Sequence, residues 1–154
     1  MSSQVLSINY GSNNIINAGF ATITTSSTIL YAGHTGSGEI KDVKNVKFIA
    51  STFGAFAALT HEGYLRIWGQ IVGDAHNVSS VYVTNTRQGA YAVLKKDRTI
   101  EVFGNSHNGG AIPHNLYERA MSGTVDKILG NKCAFVAWGS NQAFAWGNVD
   151  FGGI

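Results

Sequence analysis

The sequence is poor in charge and cysteine, and each shortage excludes a class of protein or of structural feature. Charged residues make up 13% of the 154 residues, about half of the usual share. The net charge of +2 is too small to indicate a nucleic-acid partner. The single cysteine, Cys133, cannot form an intramolecular disulfide, and its apolar neighbours favour a small core residue.

Long hydrophobic runs and a secretory leader are also missing. No apolar run approaches the length of a membrane span. The N-terminus MSSQVLSINYGS has neither the basic region nor the apolar region of a signal peptide. We therefore predict a cytoplasmic protein, while a fragment of a larger chain or export without a signal peptide stays open.

Glycine is abundant where proline is scarce. The chain has 19 glycines and one proline, which indicates many tight turns. Four glycines each close a segment that starts at an aromatic residue 13, 13, 13 and 12 positions earlier. Because the aromatic residues themselves lie 36, 35 and 44 positions apart, this spacing predicts a repeated unit joined by variable loops. The four pairs are Phe20–Gly33, Phe56–Gly69, Tyr91–Gly104 and Phe135–Gly147.

The pattern inside each unit is that of short strands. A β-like run precedes each aromatic residue, at 5–9, 46–50, 81–85 and 125–129. In GYLRIWG, Tyr64, Arg66 and Trp68 share one face of a period-2 alternation, which is typical of a strand. Only the stretch after Pro113 predicts a short helical turn. Small residues would fit an inner strand close to a central axis. They are Ala57, Ala58, Ala92 and Ala137.

Four such units predict an all-β fold. The best match is a β-propeller built of four repeats of about 35–45 residues, forming one domain over residues 1–154. A β-sandwich does not need four matched units, and a β-helix usually has a shorter rung. The predicted repeats are approximately 4–40, 41–77, 78–123 and 124–154.

The repeat resembles that of a known family. VKFIASTFGAFAALTHEGYLRIWG, at 46–69, resembles the repeat of the regulator-of-chromosome-condensation β-propellers, in which a strand ends in Trp-Gly. The stretch 103–139 is similar to repeats of the propeller-type β-lactamase inhibitor of soil bacteria. The resemblance covers nearly the whole chain and implies a propeller. The nucleotide-exchange activity of the founding member is not carried over, because its surface loops find no match here.

The chain departs from the family pattern at two positions and in its number of repeats. Ala32 precedes the first closing glycine, and Arg98 stands where the second repeat has Gly63. Typical members have about seven blades, so four repeats imply a compact ring, a partial ring completed by a second copy, or part of a longer protein. A partial ring exposes unpaired strands that invite β-pairing with another chain. We therefore predict a homo-oligomer.

No catalytic set stands out in the sequence. The five histidines, at 34, 61, 76, 107 and 114, lack zinc-site spacing, and no pair of carboxylates indicates a glycosidase. The glycine-rich stretch 33–38 lacks the lysine of a phosphate loop. We predict no enzyme, no cofactor and no metal.

Two groups of residues are candidates for binding. The first combines aromatic residues at one repeat position, which pack between blades or stack on a sugar, with the amides that follow the closing glycine. The second contains tyrosine and arginine, which protein interfaces favour. The first group is Trp68, Gln70, Phe103, Asn105, Trp146 and Asn148, and the second is Tyr64, Arg66, Tyr117 and Arg119.

Variable loops on a rigid scaffold favour a non-enzymatic protein-binding propeller. Its partner would be another protein or a second copy of the chain, and neither a nucleic acid nor a membrane is expected. The alternatives are a carbohydrate-binding lectin with glycan sites between blades and a self-assembling propeller fragment.

Overall fold

The computed structural model describes residues 4–9, 19–33 and 36–154. Its strands form four small antiparallel sheets of three or four strands each, so the prediction of an all-β chain is confirmed. Contacts divide the chain into two compact units, the first ending at His76 and the second starting at Asn77. Within the described ranges, no helix is long and apolar enough to cross a membrane.

The first unit holds two four-stranded sheets, each with its strands in chain order. Sheet 1 consists of β1 (Gln4–Asn9), β2 (Gly19–Ile23), β3 (Ile29–Gly33) and β4 (Gly36–Ile40). Sheet 2 consists of β5 (Val46–Thr52), β6 (Ala55–Thr60), β7 (Leu65–Gly69) and β8 (Gly73–Ala75).

The second unit holds two sheets in which the structure describes three strands each. Sheet 3 consists of β9 (Val78–Thr84), β10 (Ala90–Lys95) and β11 (Ile100–Gly104). Sheet 4 consists of β12 (Lys127–Gly130), β13 (Ala134–Gly139) and β14 (Gln142–Gly147). Each of the four runs predicted to open a unit overlaps the first strand of a sheet.

Small residues fill the middle of the sheets. Ala57, Ala58, Ala92 and Ala137 are fully buried. They lie on the predicted inner strand, which is the second strand of its sheet and is paired on both sides. Such a strand has neighbours at both edges and on both faces, so a small side chain suits it.

Aromatic and branched side chains form the core of each unit. In the first unit Ile29, Val46 and Ile49 are buried together, and Trp68 packs against them. In the second unit the cluster contains Phe135 and Trp146 with residues of β10, β11 and β12. Burying each large apolar side chain stabilises the fold by about 1.5–3 kcal/mol.

Arg98 adopts the backbone conformation of the glycine that it replaces. Its φ is 66°, and that of Gly63 is 91°. Its carbonyl accepts a hydrogen bond of 3.1 Å from the N–H of Val125, and its guanidinium bonds the carbonyl of Thr124 at 3.2 Å and the carboxylate of Asp126. These contacts to the next repeat offset the cost of a left-handed residue with a side chain.

The predicted helical turn after Pro113 is confirmed. A 3-10 turn at His114–Leu116 leads directly into a one-turn helix, α1 (Tyr117–Ala120). Leu116 and Ala120 are buried in the core of the second unit, and they anchor the segment beside sheet 3.

Both the backbone conformation and the close packing at the end of β14 require glycine. Gly147 has a φ of 114°, and a Cβ built there would lie 2.7 Å from the carbonyl oxygen of Cys133 and 2.8 Å from the Cα of Ala134. Gly152 also has a positive φ, 92°, yet a Cβ there would meet nothing within 4 Å. An alanine at Gly152 would therefore meet backbone strain alone, whereas an alanine at Gly147 would meet both backbone strain and a steric clash.

We expect Gly152→Ala to lower the free energy of unfolding by about 1–2 kcal/mol, the cost of the left-handed backbone alone. Gly147→Ala should cost about 3 kcal/mol or more, because the strand pair must also separate. Urea unfolding followed by circular dichroism measures both. Equal losses in the two variants would contradict the steric argument.

Candidate interaction site

Trp68 lies between the two sheets of the first unit. Its ring stacks on Phe56 with a centroid distance of 5.4 Å and meets the edge of Tyr31 at 6.4 Å. Phe56 belongs to β6 and Tyr31 to β3, so the indole joins sheet 2 to sheet 1. It is half-buried.

Trp146, at the same repeat position, is fully buried. Its ring lies 5.4 Å from that of Phe135 and 5.8 Å from that of Phe144. Its Nε1 donates a hydrogen bond of 3.0 Å to the carbonyl of Gly109, which follows sheet 3. Trp146 thus has no exposed surface to offer a ligand. Phe103 lies opposite Tyr91 across β10 and β11 and is half-buried.

The amides after the closing glycines hold local turns. The side-chain oxygen of Asn105 accepts from the N–H of His107, and that of Asn148 from the N–H of Asp150, each at 2.9 Å. These bonds cap matching 3-10 turns at Ser106–Asn108 and Val149–Phe151. Gln70 is exposed and caps no such turn in the described chain. A role of these amides in sugar binding stays a prediction.

Tyr64 and Arg66 belong to a polar network on the first unit. Arg66 donates from Nη2 to Asp42 at 2.9 Å and from Nε to the Tyr64 hydroxyl at 2.9 Å. That hydroxyl donates to Asp74 at 3.3 Å, and the Tyr64 ring lies 5.0 Å from the ring of His76. Sequence reasoning missed Asp42, Asp74 and His76, because only the fold brings these positions together.

The network shifts two pKa values. The hydrogen bond and positive charge of Arg66 hold the pKa of Asp42 below its ordinary value. Hydrogen bonds to Tyr64 and Asp42 raise the pKa of Arg66. Both shifts favour the charged forms, as expected for an ion pair, and neither poises a group for proton transfer near neutral pH.

Tyr117 lines a groove in the second unit. Tyr117 and Met121 are four residues apart and project from the same side of α1 and its end, with exposures of 56% and 45%. The groove has a volume of about 420 Å³. Arg119 is exposed but does not line it. The lining residues are Lys95, Thr99, Ile100, Glu101, Val102, Ile112, Tyr117 and Met121.

Metal ligands do not gather in the part of the chain that the structure describes. No three histidine, cysteine, aspartate or glutamate side chains there are placed to hold an ion. His34, in the glycine-rich stretch 33–38, lies outside the described residues.

The solved structures that this chain resembles include propellers. Human WBSCR16 superposes with a TM-score of 0.56 over 96% of this chain at 16% identity. Prp20p from Saccharomyces cerevisiae, whose binding properties to Gsp1p and histones are described with its structure, gives 0.56 over 96% at 14% identity. The CRINKLY WD40 ectodomain of the Arabidopsis thaliana receptor kinase ACR4 gives 0.58 over 100% at 12% identity.

The fold is an RCC1-like β-propeller fold. The four sheets correspond to propeller blades. This chain spans about half the length of the propellers it matches, namely 48%, 46% and 54% of the three chains. No protein-family model and no curated sequence matches it.

We expect Trp146→Phe to lower the free energy of unfolding by about 2–4 kcal/mol, because it opens a cavity and leaves the Gly109 carbonyl without its donor. Trp68→Phe should cost less, since the Trp68 ring is half-buried and no hydrogen bond is lost. Urea denaturation compares the two. A loss at Trp68 as large as that at Trp146 would contradict the assigned packing.

The Asp42 carboxyl should titrate below the ordinary aspartate pKa, and Arg66→Gln should return its midpoint towards that value. Since the folded-state pKa is lowered, the stabilisation by this pair is present above the unfolded-state pKa and is lost as the pH falls through the lowered folded-state pKa. Carboxyl carbon shifts in a nuclear magnetic resonance titration report the midpoint. An unchanged midpoint in Arg66→Gln would refute the assigned cause.

Proposed function

We propose that the chain is a non-enzymatic, protein-binding propeller module of the regulator-of-chromosome-condensation repeat type. The observation that carries the proposal is the groove of the second unit, where Tyr117 and Met121 expose about half of their surfaces. Tyrosine and methionine are favoured at protein interfaces. The yeast neighbour provides a precedent, because its binding to Gsp1p and histones and its complex with Kap60 are described.

The charged groups of the described residues support binding rather than catalysis. The resolved pKa shifts lower exposed carboxylates, at Asp42, Glu62 and Asp97, or raise Arg66. Each shift keeps the group in its usual charge state at neutral pH. Catalytic acids and bases are instead tuned towards the working pH.

A second copy of the chain is one partner that the proposal includes. Propellers about twice as long match this chain over nearly all of its length, so two copies would supply as many blades as one such propeller. Light scattering reports the mass of the assembly in solution.

Affinity co-purification tests the proposal on the groove. We expect the double variant Tyr117→Ser with Met121→Ser to lose partners that the unaltered chain retains, because the apolar contact area is removed. Val72→Ser and Val149→Ser are matched controls, since these side chains are 78% and 70% exposed and do not line the groove. Identical partners with all variants, or no saturable partner at all, would refute the proposal.

A further inference from the structure

The third strand of a sheet meets different neighbours in the two units. In sheet 2, β8 pairs with β7 and places Ala75 opposite Leu65, and Gly73 opposite Ile67. In sheet 3, β11 is the last strand in the order β9-β10-β11 that the described residues form. The outer edge of β11 therefore occupies the position that β8 covers in sheet 2.

The backbone pairing of β10 with β11 fixes which groups point outward. The Lys95 N–H donates to the Thr99 carbonyl, and the Asn105 N–H to the Gly89 carbonyl. Antiparallel pairs alternate between bonded and non-bonded positions, so Glu101 bonds to β10, and Ile100 and Val102 direct their N–H and C=O groups away from it. These two residues correspond to Leu65 and Ile67, which β8 meets in sheet 2.

The groove runs along this outward edge. Ile100, Glu101 and Val102 of β11 line it together with Tyr117 and Met121, and Ile100 itself is only 3% exposed. Its volume of about 420 Å³ lies within the range of ligand pockets, roughly 300–1,000 Å³. A strand added at this edge would meet the outward backbone groups of Ile100 and Val102 and the apolar side chains beside them, the combination that strand addition uses.

Charge identifies the strand that would fit. In sheet 2, Arg66 bonds Asp42 at 2.9 Å and still has Asp74 of β8 directly opposite. Glu101 is the residue of sheet 3 at the position of Arg66, and it pairs with Lys95 at 3.2 Å while 43% of its side chain stays exposed. Opposite charges favour each other across strands. A strand added to β11 should therefore carry a basic residue opposite Glu101.

We propose that the outer edge of β11 binds an extended segment of a partner protein by strand addition, antiparallel to β11, with lysine or arginine opposite Glu101 and small or apolar residues on either side. This proposal rests on the protein-binding function and names its site and ligand chemistry. The segment 71–77, which contains β8, is the template for the ligand, with its single charge reversed.

Two end-blocked peptides test the proposal on the full chain. One has the sequence of residues 71–77, and the other has lysine in place of Asp74. In an isotope-labelled chain, we expect the lysine peptide to slow hydrogen exchange at the Ile100 and Val102 amides, and to bind several-fold more tightly than the aspartate peptide. The Glu101 amide, which already bonds to β10, should not respond.

Substitutions at the edge separate backbone from charge recognition. Val102→Pro removes an outward N–H without removing a bond to β10, and it should weaken binding about tenfold. Val102→Thr keeps that N–H and is the control. The double variant Lys95→Glu with Glu101→Lys keeps the ion pair and should reverse the preference between the peptides. Thermal unfolding verifies that each variant folds.

Three results would overturn the inference. The first is that neither peptide slows exchange at Ile100 and Val102. The second is that these amides are already protected in the free chain or become protected as its concentration rises, because the edge is then covered by the chain itself or by a second copy. The third is equal binding by Val102→Pro and Val102→Thr. If partners still depend on Tyr117 and Met121 in co-purification, the protein-binding function survives such a failure.

Discussion

The arrangement of sheets 2, 3 and 4 depends on the glycine that ends the third strand. Gly69, Gly104 and Gly147 have φ values of 109°, 112° and 114°, which side chains disfavour. This backbone lets the next residue donate its N–H to the carbonyl just before the middle strand. The hairpin register is therefore fixed by the main chain, and strand side chains vary around it. The three bonds run from Gln70 to Gly54, from Asn105 to Gly89 and from Asn148 to Cys133, at 2.7, 3.1 and 2.9 Å.

The residue after that glycine differs between sheets in which a fourth strand covers the third strand and sheets in which the chain turns away. The side chains of Asn105 and Asn148 each accept a hydrogen bond from the N–H two residues later and cap a 3-10 turn. The chain therefore leaves the edge of the third strand. Gln70 is one methylene longer, and its side chain lies against Gly54, where a Cβ would clash with it. The chain then continues into β8, which covers the edge of β7. Asparagine after the closing glycine thus goes with a 3-10 turn, and glutamine goes with a fourth strand.

The sequence was sufficient to predict the hairpins but not their surroundings. Fixed aromatic-to-glycine spacing and period-2 alternation predicted the strands, because both arise from local backbone geometry. The partners of Arg66 were missed, since Asp42 is 24 residues away and only sheet pairing brings Asp74 opposite. The groove was missed for the same reason, although the matching loops 104–110 and 147–153 already distinguished the last two repeats. The binding roles of the ten candidate residues stay predictions.

In the proposed binding mode, the charged residue that an added strand would meet lies outside the cores that stabilise the repeat, so that residue can differ in charge between repeats. Arg66 and Glu101 occupy the same place in the strand, and each is neutralised within its own unit, by Asp42 at 2.9 Å and by Lys95 at 3.2 Å. Neither Arg66 nor Glu101 belongs to the buried cores, in which Ala58 and Ala92 are fully buried. Because an exposed ion pair contributes little to folding, reversing its order costs the fold little. It changes instead which strand the edge would accept and which it would repel.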